Sequence, residues 1–192
     1  MINFRHSDIQ LYYASFMRDM SNIQSFQLRD PNDVKIRAIL NTDIYTKATR
    51  LLEASIKHII YNCLIIKGLT EIELGELSSR LKRFNNPEYS KIKQLVLDEL
   101  SLDIDSGLRP PNNAFSGRDK TNLDQIVLNR HRNVHASEDS TTWFSTNNKS
   151  LTDFNNEFEG LINILLFMDG ITYDGTNFVF SFQTQTQPQN QT

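Results

Sequence analysis

Ile44-Tyr45-Thr46-Lys47-Ala48-Thr49-Arg50-Leu51-Leu52-Glu53-Ala54-Ser55-Ile56-Lys57-His58-Ile59-Ile60-Tyr61-Asn62-Cys63-Leu64 decides the fold class. Ile44, Ala48, Leu51, Leu52, Ile59 and Cys63 recur at the three- and four-residue steps of a helix, and Ile56, Ile60 and Leu64 widen the same face. An apolar surface this broad must be covered from several sides, so the helix containing it is expected at the centre of the molecule. Its helical pattern extends from about Asp33 to Lys67, with a bend or break expected near Asn41 to Asp43, and Gly68 is a natural C-terminal stop. His58 lies within this helix and reads as a structural or surface histidine.

Helical periodicity continues on both sides. Ser7 to Ser25 places Ile9, Tyr12, Tyr13, Phe16 and Met20 on one side, with Ser7 as a reasonable N-cap. Glu71 to Phe84 carries the stripe Leu74, Leu77, Leu81 and Phe84, and Pro87 to Leu102 carries Ile92, Leu95, Val96 and Leu100. A final helix, capped by Ser150 or Thr152, runs to about Ile171 and presents Phe154, Phe158, Leu161, Ile162, Leu165 and Phe167 as core or dimer surface. Thr172 to Phe182 changes to a strand-like pattern around Asp174-Gly175, compatible with a small hairpin. The expectation is an all-α, up-and-down bundle of about five to six helices, one domain over residues 1–182. The Gln/Thr/Asn-rich end, residues 183–192, is expected to be disordered.

Composition bounds the function. A chain of 192 residues with 39% hydrophobic content can bury its own core. A net charge of −3 argues against coating by nucleic acid over the whole surface but leaves room for a local basic site. The single cysteine, Cys63, cannot form an internal disulfide and sits among apolar residues, where a buried thiol is expected. Zinc-type Cys/His spacing is missing, and no metal or cofactor is implied. Met1 to Gln10 lacks the apolar core of a signal peptide, and the apolar run Leu161 to Met168 is far short of the ~20 residues a bilayer span needs. A cytoplasmic protein without membrane partners is expected.

The cluster with chemical potential is Arg130-His131-Arg132-Asn133-Val134-His135, which holds two of the four histidines. On a helix from about Asn122 to Ala136, Leu123, Ile126, Val127 and Val134 form one apolar stripe. Arg130 falls within that stripe, Arg132 projects to the opposite side, and His135 sits on the stripe's edge. An arginine on a packing face must satisfy five donors, which requires a carboxylate, backbone carbonyls or an anion from outside. No acidic residue lies within one turn of Arg130, although Glu53 or Glu157 from another helix offers a structural ion pair.

Arg130-x4-His135, with a polar residue after the arginine and a small aliphatic before the histidine, resembles the Arg-x4-6-His signature of HEPN domains. Those are all-α modules, many of them ribonucleases of toxin, antiphage and RNA-surveillance systems. Two positions depart from the family pattern: Ala136 stands where a glycine often follows the histidine, and Asn133 where an aliphatic is common. No tyrosine lies two residues after His135, so the modification site of toxins paired with a nucleotidyltransferase antitoxin is not evident. The resemblance implies a metal-independent endoribonuclease in which His135 is the acid/base, Arg130 stabilises the phosphorane and His131 assists. It further implies a homodimer with a composite site, the apolar stripe facing a partner, RNA as substrate, and an antitoxin or effector as a further partner. The chemistry is coherent: histidine exchanges protons near neutrality, and arginine stays charged and matches phosphate oxygens bidentately.

Arg132, Asn133, Arg118 and Lys120 are the candidate RNA contacts. Arg118 and Lys120, with Arg109, belong to the Pro/Gly-containing segment Asp103 to Lys120, read as a loop leading into the motif helix where they would meet phosphates near Arg130. Phe115 in that segment either stacks on a base or pins the loop to the core. Arg80, Lys82, Arg83, Lys91 and Lys93 gather near Asn85-Asn86 as a second basic patch, or as a solvated helical face. Trp143, in the polar segment Ser137 to Lys149, stacks a base or anchors its loop. Two alternatives to the enzyme stand beside it: a non-catalytic HEPN-like module binding RNA, a nucleotide or a protein, and a helical interaction domain in which Arg130 is paired internally.

Overall fold

A computed structural model describes residues 2–25, 33–108, 114–134 and 149–181. Among them are six α-helices and one antiparallel hairpin: α1 Ser7–Ser25, α2 Asp33–Lys67, α3 Glu71–Arg83, α4 Tyr89–Leu100, a 3-10 turn Ile104–Leu108, α5 Gly117–Val134, α6 Leu151–Asp169, β1 Ile171–Tyr173 and β2 Phe178–Phe180. The all-α bundle with a C-terminal hairpin is therefore present. No helix among the described residues is long and apolar enough to cross a membrane.

The central position expected for α2 follows from its burial. Ile44, Ala48, Leu52, Ile56, Ile59 and Ile60 are fully enclosed, and α1, α3, α4, α5, α6 and β1 all pack against the helix. Thr49 is also enclosed, and its hydroxyl donates to the Tyr45 carbonyl one turn back at 2.9 Å, so the polar group is satisfied without leaving the helix. The helix runs unbroken through Asn41–Asp43, where a bend or break is expected from sequence. Asn41 there is buried and donates to the Lys149 carbonyl at 3.1 Å, and Lys47 joins Asp43 one turn on, so both residues are accommodated helically. At the other end Gly68, with φ +94°, closes a Schellman motif: its amide donates to Ile65 and that of Leu69 to Leu64.

Helix starts are set by side chains. Thr70 and Glu73 form a reciprocal capping box on α3, and Ser150 and Asp153 form one on α6. Ser7 is the first helical residue of α1 and not its cap. Just before it, the Asp169 carboxylate accepts from the amides of Arg5 and His6 and, at 2.6 Å, from the His6 imidazole Nδ1. Asp169 is buried, and these donors tie the N-terminal segment to the end of α6. On α4 the N-cap residue Glu88 makes no side-chain capping bond, and Asp124 of α5 instead accepts from the Tyr89 amide at 2.7 Å. The α4 helix accordingly starts at Tyr89, two residues after the expected Pro87.

α5 and α6 run antiparallel in close approach. An added Cβ on Gly160 would lie 2.8 Å from Asn122 Cβ and 2.9 Å from Asp119 Cα, a gap that only glycine leaves open. Polar groups clasp the seam: Asn122 donates to the Asn156 carbonyl at 3.2 Å, and Asn163 donates to Asp119 at 3.1 Å. The hairpin pairs Ile171 with Phe180 and Tyr173 with Phe178. It closes the base of the core where Phe180 meets Phe167.

Candidate functional site

The motif helix begins five residues before the expected Asn122. Ser116 and Asp119 exchange hydrogen bonds as a capping box, the Ser116 amide donating to Asp119 at 2.6 Å and the Asp119 amide to Ser116 Oγ at 3.3 Å. The segment read as loop thus contains regular structure, a 3-10 turn over Ile104–Leu108 and helix from Gly117. Phe115 is buried and meets Tyr89 and Phe167 edge-on, which pins the segment to the core.

Leu123, Ile126 and Val127 are fully enclosed between α5 and its neighbours α2 and α6. The expectation that the stripe faces a partner chain is corrected: the protomer's own core uses it. Arg130 is half-buried at the end of this face. Its Nη1 donates to Asn86 Oδ1 at 3.3 Å, joining α5 to the α3–α4 junction. Asn86 holds a left-handed conformation, φ 54°, which asparagine tolerates better than most residues and which turns the chain between Arg83 and Tyr89.

Neither glutamate considered as a partner for Arg130 is bound to it. Glu53 pairs with Lys57 at 2.6 Å, one turn along α2. Glu157 accepts from the Tyr45 hydroxyl at 3.1 Å and from Lys149; burial, with the Glu157 charge beside it, pushes the Tyr45 phenol far up. Among the described residues no carboxylate forms an ion pair with Arg130, and its partner there is a neutral amide.

No family model, curated protein or solved structure matches this chain.

His135 lies outside the described residues, as do Arg109, Trp143 and the segment 183–192. The side chains of His131, Arg132, Asn133 and Val134 are likewise outside the description, which gives only their helical backbone. Arg118 is exposed and Lys120 half-buried in the first turn of α5, about 18 and 15 Å along the helix axis from Arg130. The expectation that they lie beside Arg130 is corrected, because helix starting at Gly117 carries them to the opposite end of α5. Lys120 is also engaged there: its Nζ is 2.9 Å from Asp105 Oδ1 and 4.4 Å from the centre of the Tyr89 ring.

Much of the second basic patch is neutralised. Arg80 grips Glu99 with two bonds of 2.8 Å, Lys91 pairs with Glu88 at 3.3 Å, and Lys93 pairs with Asp105 at 2.5 Å. Lys82 and Arg83 are exposed and have no carboxylate partner among the described residues.

Two histidines that drew little attention in the sequence prove to be neighbours. His6 and His58 meet edge to face with ring centres 5.8 Å apart. His58 Nε2 lies 2.6 Å from the Asn62 amide nitrogen and 3.3 Å from Asp8 Oδ2. Burial lowers the His58 imidazole below its ordinary value, which favours the neutral ring at pH 7. Asn62 at i+4 was the only local sign of this arrangement; the approach of His6, 52 positions earlier, depends on how α1 docks. Among the described residues no group of three His, Cys, Asp or Glu side chains is placed to hold a metal ion.

Proposed function

We propose that this chain is a metal-independent endoribonuclease of HEPN type, with RNA held at the C-terminal part of α5. The observation that supports this reading is the half-buried Arg130, whose described partner is the neutral Asn86 amide and not a carboxylate. A guanidinium at the edge of a core with no carboxylate partner among the described residues is suited to a phosphate that becomes more negative in the transition state. Internal pairing to Glu53 or Glu157, the basis of the purely structural alternative, does not occur.

In the proposed reaction His135 takes the ribose 2′-hydroxyl proton, the 2′-oxygen attacks phosphorus, and the P–O5′ bond breaks as the leaving oxygen gains a proton. Arg130 balances charge on the phosphorane and His131 assists, with Arg132 and Asn133 following the strand. The products carry a 2′,3′-cyclic phosphate and a 5′-hydroxyl. Two protomers each contribute a motif, and the role is that of a cytoplasmic toxin, antiphage or RNA-surveillance nuclease, with an antitoxin or effector as its controlling partner. The exposed Leu128, two residues before Arg130, is an apolar contact available on the outer side of α5 for such a dimer.

The test is cleavage of mixed-sequence RNA in EDTA by wild type, Arg130→Ala and His135→Ala, with analysis of fragment ends and thermal melting of all three proteins. Cleavage by wild type alone, leaving cyclic phosphates, with unchanged melting, is the expected result. Binding by folded wild type without cleavage would turn the assignment to the RNA- or nucleotide-binding module.

A further inference from the structure

Helices α1, α2 and α3 enclose an open groove of about 410 Å³. Tyr12 and Tyr61 supply ring surface, Leu81 a buried apolar floor, and Lys57, His58 and Lys82 the polar lining. The chain as a whole has 23 acidic residues against 20 basic ones, yet no carboxylate lines this groove. Charge is not wholly free: Lys57 is paired with Glu53 at 2.6 Å, and Asp8 lies 3.3 Å from His58 Nε2. Lys82 has no such partner among the described residues, and Tyr12 is 43% exposed.

The groove connects to the proposed site through the chain itself. Lys82 stands four positions before Asn86, the residue that receives the Arg130 hydrogen bond, so the two α-carbons are at most about 14 Å apart. Arg83, exposed, lies between them. Two exposed cations, Lys82 and Arg83, therefore stand within four residues of the amide that Arg130 engages, and Lys82 lines the cleft that holds the two tyrosines.

We propose that this groove is a subsite for single-stranded RNA, holding nucleotides adjacent to the bond cleaved near Arg130. Bases stack on Tyr12 and Tyr61, and the backbone tracks Lys82 and Arg83. The inference rests on RNA being the ligand at Arg130. Paired strands bury the faces that the tyrosines would contact, whereas unpaired bases present them, and alternating rings and cations are the means by which single strands are held. A lone mononucleotide would occupy the cleft but leave Arg83 and Arg130 unused.

Binding is measured by fluorescence anisotropy with a labelled, unstructured 12-nucleotide RNA in EDTA, on a His135→Ala background that prevents cleavage. Lys82→Glu and Tyr12→Ala are each expected to weaken binding about tenfold without lowering the melting temperature. Arg18→Glu, the same charge change at an exposed α1 position outside the groove, should alter it less than twofold, and a duplex of the same sequence should bind at least tenfold more weakly. Groove variants that bind like the background, while Arg130→Ala abolishes binding and cleavage, would overturn this subsite and leave the nuclease standing. Loss of binding in the groove variants, with wild type that never cleaves and Arg130→Ala that binds normally, would overturn the nuclease and with it the groove's place beside a cleaved bond, leaving a single-strand site in the groove alone. Displacement of the strand by uridine monophosphate at the strand's own affinity would overturn the single-strand assignment. Ultraviolet cross-linking of the unsubstituted chain provides a check independent of folding: adducts are expected on the Tyr12 or Tyr61 peptides, and adducts confined to other peptides would overturn the proposal.

Discussion

Arg130 of α5 donates to the side chain of Asn86, whose backbone sits in the left-handed region at the α3–α4 junction. One residue thus turns the chain and presents an amide to the guanidinium. Asn86→Gly separates the two roles, since glycine accepts φ 54° but offers no acceptor. Melting should change by no more than a few degrees, while RNA cleavage in EDTA should fall about tenfold because Arg130 loses its positioning contact. Unchanged cleavage would show that Asn86 does not orient Arg130.

Two glycines within helices should respond in opposite directions. Gly160→Ala forces a methyl against Asn122 and the Asp119 backbone, so the α5–α6 seam must open; a loss of about 1–3 kcal/mol is expected in urea unfolding. Gly75 in α3 is exposed and has nothing within 4 Å of an added Cβ, so Gly75→Ala should gain about 0.5–1 kcal/mol through helix propensity. Equal effects of the two substitutions would refute the close-packing account of Gly160.

Asp105 collects three donors: Tyr89 Oη at 2.7 Å, Lys93 at 2.5 Å and Lys120 at 2.9 Å. Burial alone would raise its carboxyl, but hydrogen bonds from Lys93, Tyr89 and Lys120 prevail and hold it well below the usual carboxylate range. A depressed folded value means that the stabilisation is present above about pH 4 and is lost as pH falls toward the folded value. The side chain is more than a third exposed, so solvent screening limits the effect to about 1 kcal/mol. Asp105→Asn should lower the melting temperature at pH 7, and the gap from wild type should narrow between pH 4 and pH 2.5. A gap that persists undiminished at pH 2.5 would mean that the ionised carboxylate is not its source.

Cys63 is enclosed, and burial pushes its thiol up to about 12. Native protein at pH 8 should resist iodoacetamide for hours and react fully in guanidinium chloride, as followed by mass spectrometry. Prompt alkylation of the folded protein would contradict the burial of the α2 face that carries it.

The helices themselves were largely legible because local rules govern them. The three- and four-residue apolar steps of α2, the Ser150-x-x-Asp153 cap and Gly68 mark elements through interactions a few residues long. The start of α5 was legible too, in Ser116-x-x-Asp119, but the prolines and glycines of the preceding segment masked that signal. In the candidate site, sequence alone singled out Arg130 as a cation on an apolar face. It could not show that Glu53 and Glu157 are taken by Lys57, Tyr45 and Lys149, because competition for a charge is settled by which helices touch. Nor could it place Asn86 beside Arg130, Asp169 beside His6, or Tyr12 and Lys82 in one groove. Helical periodicity determined which faces must be buried; only tertiary packing decided what covers each face, because burial constrains a residue's environment and not the identity of its distant neighbour.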